Sequence, residues 1–138
     1  MDMNMASSND TKKNERISPY NDEELNYFKE IILKKRDDAE NELNVLQNLL
    51  RESMENSSDE SAYSFHMADA GTDAQEREKT YMLYNRTRKF IRYLDEALKR
   101  IENKTYGVCK VTGKKIAKGR LEAVPHTQLS IEAKLKSK

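Results

Sequence analysis

The chain has 138 residues, 36% charged and 36% hydrophobic, with no Trp, two Pro, four Gly and a single Cys. That is too polar for a broad central core and suits long helices with narrow apolar seams. It also excludes a membrane-spanning helix, since no apolar run approaches roughly 18 residues, and one cysteine forms no internal disulfide, so a reducing cytoplasm is the expected setting.

Net charge is +1 but unevenly spread: Lys104 to Lys138 holds nine Lys/Arg against Glu122 and Glu132, giving +7 there and −6 elsewhere. Such asymmetry predicts two contact surfaces of opposite preference.

Residues 1–20 are rich in Asn, Ser, Asp and Lys without periodicity, and they read as a disordered tail with no apolar core of a signal peptide. Asn21 or Asp22 can cap a first helix, with Asp22, Glu23 and Glu24 favourably placed in its first turn. Leu25, Phe28, Ile32, Ala39, Leu43, Leu46 and Leu50 then recur at three, four or seven, a coiled-coil-like seam. Ser57 to Ser61 is polar and reads as a turn or a fraying end.

A second run follows at Tyr84, Thr87, Ile91, Leu94, Leu98 and Ile101. Two matching seams joined by a polar segment predict an antiparallel helical hairpin over residues 21–104 with its tip near 56–75. After Asn103-Lys104-Thr105 a compact basic unit is expected over 105–138, with short strands at 108–111 and 115–117 around Thr112-Gly113. Leu121 to Val124 is expected extended before Pro125, and a final helix starts near 127–130. The fold class is therefore mainly α, a long hairpin followed by a small α/β unit and a C-terminal helix.

Within that unit the spacing is that of a C-x2-C…x17…C-x2-C zinc knuckle, but its four ligand positions hold Cys109, Thr112, Ser130 and Ala133. Structural zinc takes about four Cys, His or carboxylate ligands in a tetrahedron. One thiolate, two hydroxyls and a methyl do not supply them, so the expectation is no cofactor, the zinc having been lost. An apolar cluster of Tyr106, Val108, Val111, Ile116, Leu121, Val124, Leu129 and Ile131 is expected to stand in for it, with Ser130 capping the last helix. Cys109 is read as a buried apolar filler, and His66 and His126 as surface residues.

The Gly-x-Cys turn after a charged helix, then Arg120-Leu121-Glu122-Ala123-Val124-Pro125, then Leu129-Ser130-Ile131-Glu132-Ala133-Lys134, resembles the DksA/TraR family of bacterial RNA polymerase regulators. The resemblance covers roughly residues 22–137. It implies a non-enzymatic transcription regulator whose coiled-coil tip enters the polymerase secondary channel while the basic end grips the outer rim. It places the family's acidic tip pattern on Asp69, Asp73 and Ala74, although the two carboxylates here are four residues apart rather than three.

Some members bind guanosine tetraphosphate against the polymerase through three basic positions, which correspond here to Tyr93, Val124 and Lys134. Only Lys134 keeps a cation, so that contact is expected to be weakened, with Arg88, Lys89 and Arg92 near enough in sequence to supply charge.

Two other classes fit parts of the chain. A nucleic-acid-binding module would use the +7 segment, but Tyr106 is its only aromatic residue, so base stacking is poorly served and direct DNA binding is not expected. A coiled-coil scaffold would use the seams, which Lys35 and Arg36 interrupt. No phosphate-cradling glycine loop or nucleophile–base pattern supports an enzyme.

Overall fold

The computed structural model describes residues 18–58 and 70–136. Among the described residues four helices follow in chain order: α1 (Asp22–Ser58), α2 (Ala70–Glu102), α3 (Lys118–Ala123) and α4 (Ile131–Lys136). The fold is mainly helical and carries the long helical hairpin that the two seams predict. Among the described residues no helix is long and apolar enough to cross a membrane.

The start of α1 is fixed by a reciprocal cap. Asn21 Oδ1 accepts the Glu24 N–H at 2.8 Å, and Glu24 Oε1 accepts the Asn21 N–H at 3.0 Å. Two of the first-turn donors that a helix leaves unsatisfied are thereby paired. Its far end runs through Ser57 and Ser58, the first two residues of the predicted break at 57–61. The end of α2 is a Schellman turn: Thr105 N–H donates to Arg100 O and Lys104 N–H to Ile101 O, at 2.8 and 3.1 Å. Lys104 takes the left-handed position with φ 62°, a place usually given to glycine.

The described residues fall into two compact units. In the first, formed by 18–35 and 93–136, the opening of α1 meets the close of α2, and Lys104 Nζ lies 2.6 Å from Asp22 Oδ1. Its core holds Leu25, Phe28 and Ile32 from α1 and Leu94, Ala97 and Ile101 from α2. In the second, 36–92, Arg77 Nε donates to Ser53 Oγ at 3.0 Å, again pairing a late α1 residue with an early α2 residue. Each unit thus shows the antiparallel pairing of a hairpin.

Two local expectations are corrected. The predicted strands reduce to one antiparallel bridge between Val108 and Lys115, because the turn between them closes on itself through Cys109 N–H to Lys114 O and Gly113 N–H to Cys109 O, both 2.8 Å. Residues 121–124 are not extended: α3 runs to Ala123. Pro125 disfavours helix only at the residue before it, and Val124 is the residue that leaves the helix, at φ −133° and ψ 76°.

The expected tail also ends earlier than residue 20. Ser18 and Tyr20 are buried, Ser18 N–H donating to Lys104 O and its hydroxyl to Tyr106 O. The rest of the tail, 1–17, lies outside the described residues.

Candidate functional site

The compact basic unit is built on an aromatic cluster. Phe28 is fully buried, with Tyr20 and Tyr27 packed edge-on at 5.2 and 5.4 Å between ring centres and Tyr106 tilted against it at 5.4 Å. Tyr106 is also fully buried, and its hydroxyl donates to Pro125 O at 2.7 Å. Burial holds that hydroxyl well above the usual tyrosine range, a shift the Arg100 charge only partly offsets. Ile116 and Leu121 complete the centre with no exposure.

Of the predicted apolar cluster, Tyr106, Ile116 and Leu121 are therefore core, and Val108, Val124 and Leu129 are half-buried. Val111 and Ile131 are 67% and 55% exposed, contrary to expectation. Their places are taken by Phe28, Tyr20, Cys109 and Pro125. Helix α1 supplies the packing that local spacing assigned to the turn.

Arg120 ties α3 to the chain leading into α4. Its Nε donates to Leu129 O at 2.8 Å and its Nη2 to Thr127 Oγ1 at 3.3 Å. Ser130 caps α4, its Oγ accepting the Ala133 N–H at 3.1 Å.

Three of the four zinc-frame positions converge. Burial alone would raise the Cys109 thiol, but hydrogen bonds from the Thr112 hydroxyl, the Ser130 backbone, the Thr112 backbone and the Ser130 hydroxyl outweigh it and bring its pKa down to about 6. Ala133, the fourth position, is buried. Cys109 is thus buried as expected, but it is a hydrogen-bonded sulfur and not merely an apolar filler.

His126 differs from the surface residue expected. It is half-buried, stacked on Tyr93 at 5.8 Å with the rings 5° from parallel, and its backbone carbonyl accepts Arg100 Nη2 at 3.2 Å. Burial lowers its pKa, with Arg100 and Lys35 adding to the effect. Nothing in local spacing signals this stack, since Tyr93 and His126 are brought together only by the fold. His66 lies outside the described residues.

Of the tip residues, Asp69 lies outside the described residues, Asp73 falls in the first turn of α2, and Ala74 is exposed on the same helix. The candidate phosphate contacts divide between the units. Arg88, Lys89 and Arg92 are exposed along one stretch of α2 in the second unit, and Lys134 is exposed on α4 in the first. Arg88 also lies over the Tyr84 ring, 5.8 Å from its centre.

Comparison with known proteins places this geometry. The chain is 34% identical over 113 residues to the RNA polymerase-binding transcription factor DksA of Caulobacter vibrioides, spanning 82% of this chain and 75% of that protein. It is 48% identical over 65 residues to the YteA protein of Bacillus subtilis, a match that spans 47% of this chain but only 27% of YteA. The structure of the transcription factor DksA2 from Pseudomonas aeruginosa superposes with a TM-score of 0.70 at 30% identity, covering 82% of this chain and 81% of that one.

Residues 104–137 match the family model of the prokaryotic dksA/traR C4-type zinc finger. That match corrects the expectation of no cofactor, because the module it describes is a zinc-binding one and it points to zinc. The donors in this chain do not fit a four-ligand centre. Cys109 is joined by two hydroxyls and a methyl, and among the described residues no three His, Cys, Asp or Glu are grouped to hold a metal. With a relative matched along three quarters of its length, a shared fold and a matching finger, the chain belongs to the DksA/TraR family of RNA polymerase-binding transcription factors, which are not enzymes.

Proposed function

We propose that this chain regulates transcription by binding RNA polymerase, with the hairpin entering the secondary channel and the basic C-terminal unit holding the outer face. The observation that carries the reading is the antiparallel pairing of α1 and α2, with α2 opening at Ala70 beside the acidic segment Asp69 to Glu76. A helical hairpin stiffened by its seam can present carboxylates at its turn, where they meet basic polymerase residues or the ligands of a bound cation.

Function then follows from a population shift. The tip interacts more favourably with one initiation intermediate than with another, and that difference sets the size of the effect. Guanosine tetraphosphate is not required in this reading, since Lys134 is the only cation among the three corresponding positions Tyr93, Val124 and Lys134.

The experiment is capture of core polymerase by the tagged chain, followed by transcription with an Asp69→Asn/Asp73→Asn variant. The expected result is polymerase binding by both proteins and loss of the transcriptional effect in the variant. Failure to capture polymerase overturns the partner. Full effect from the double variant overturns the tip.

A further inference from the structure

The second unit leaves large apolar side chains on its surface. Val45 and Leu49 are 57% and 48% exposed. They belong to a stripe, Glu42-Val45-Leu49-Glu52, spaced three, four and three, and every member is exposed. At about 100° per residue this stripe lies roughly 100° round the helix from the buried seam of Ala39 and Leu46. It is a second seam, apolar in the middle and acidic at both ends.

Helix α2 carries a counterpart. Lys79, Leu83 and Arg86 are spaced four and three; the two cations are exposed and Leu83 is half-buried. This stripe too lies about 100° from its own seam, in the same rotational sense. On antiparallel helices equal offsets in one sense fall on the same side of the pair. Both stripes therefore occupy one flank of the unit.

The heights correspond as well. Ser53 meets Arg77 across the hairpin, and counting back along α1 and forward along α2 from that contact sets Glu42 level with residues near Arg86, Val45 with Leu83, and Glu52 with Lys79.

We infer that this flank docks a second copy of the chain, forming a four-helix dimer about a twofold axis parallel to the hairpin. That symmetry puts α1 of one copy against α2 of the other, antiparallel and in the same register. Glu42 then faces the partner's Arg86, Glu52 faces the partner's Lys79, and Val45 meets the partner's Leu83. An isologous interface makes each contact twice. Flanking charges of this kind set partner choice and orientation in helical bundles, and the match of an acidic stripe with a basic one is what selects a second copy as the occupant. Three apolar side chains per copy bury far less than the ~800 Å² per partner of a standard interface, so the dimer is weak and salt-sensitive. The inference does not rest on the proposed polymerase binding, which needs the same hairpin free of its partner.

The test uses the full chain and two charge reversals, Glu42→Arg and Arg86→Glu. Sedimentation equilibrium at low salt is expected to give a monomer–dimer equilibrium for the wild type, shifted towards monomer by added salt. Each variant alone places like charges opposite each other and is expected to weaken association about tenfold or more. An equimolar mixture places opposite charges at every such contact and is expected to restore the dimer, a recovery that also shows both variants folded. A wild type that stays monomeric at every concentration up to its solubility limit overturns the inference. So does a mixture no more associated than its parts. If the wild type is monomeric and both reversals abolish polymerase capture, the flank belongs to polymerase instead.

Discussion

The ring of Tyr20 occupies the space that a side chain on residue 107 would need. Gly107 has a φ of +87°, and a Cβ built there would lie 2.7 Å from Cδ2 and Cε2 of Tyr20. The glycine of the Gly-x-Cys turn is thus required twice, once for its backbone conformation and once for close approach.

Gly107→Ala is accordingly expected to destabilise the chain by roughly 2–4 kcal/mol, the left-handed strain adding to the displacement of a packed ring. Chemical denaturation measures it. Gly113→Ala is the control, since its φ is also positive at 73° but nothing lies within 4 Å of its Cβ position. Equal losses at the two positions would show that the Tyr20 contact contributes nothing.

Tyr106→Phe leaves the ring in place and strands the Pro125 carbonyl, which accepts the hydroxyl at 2.7 Å in a fully buried setting. An unsatisfied buried acceptor costs about 1–3 kcal/mol. The expected loss is of that order in the urea midpoint, with unchanged helical circular dichroism. A neutral substitution would mean that water reaches the carbonyl.

Asn21→Ala removes one half of the reciprocal cap with Glu24. The expected cost is about 1 kcal/mol, accompanied by faster amide exchange at Glu24, whose N–H loses its acceptor. Unaltered exchange at Glu24 would refute the cap.

His126 makes stability depend on pH in a definite direction. Burial, Arg100 and Lys35 all lower its pKa in the folded chain, so the unfolded chain takes up a proton first as pH falls. The contribution is complete above the unfolded value near 6.5 and is lost as pH drops through the lower folded value. Stability is expected to decline as pH falls below about 6.5, and His126→Gln is expected to flatten that decline relative to wild type. Identical pH slopes in the two proteins would count against the half-buried stack on Tyr93.

The helical hairpin was legible because both seams repeat at three and four over several turns, and periodicity of that length is a property of the chain itself. The start of α1 was legible for a similar reason, since Asn21 and Glu24 are three residues apart and their cap is local. The spacing from Cys109 to Ala133 was also readable, and the fold does bring Cys109, Thr112 and Ser130 together.

What spacing misplaced was the packing of the small unit. Val111 and Ile131 are apolar and were assigned to its core, yet they face water. The core positions near them are filled by Phe28 and Tyr20, more than eighty residues away in the chain. The stripe of Glu42, Val45, Leu49 and Glu52 went unread beside the stronger seam. Its spacing is plain in the sequence, but its meaning depends on which face of α1 is already covered.

By itself, the sequence determined the two amphipathic helices, their antiparallel pairing, the polarity of charge between the ends and the finger-like frame, all of which follow from local periodicity and composition. Only the tertiary structure decided that Tyr20 and Phe28 complete the core of the C-terminal unit, that Gly107 lies under a tyrosine ring, that His126 stacks on Tyr93 and that Ser130 is brought to Cys109. Those contacts join residues distant in the chain, and their energies arise from burial and close approach, which no local pattern encodes.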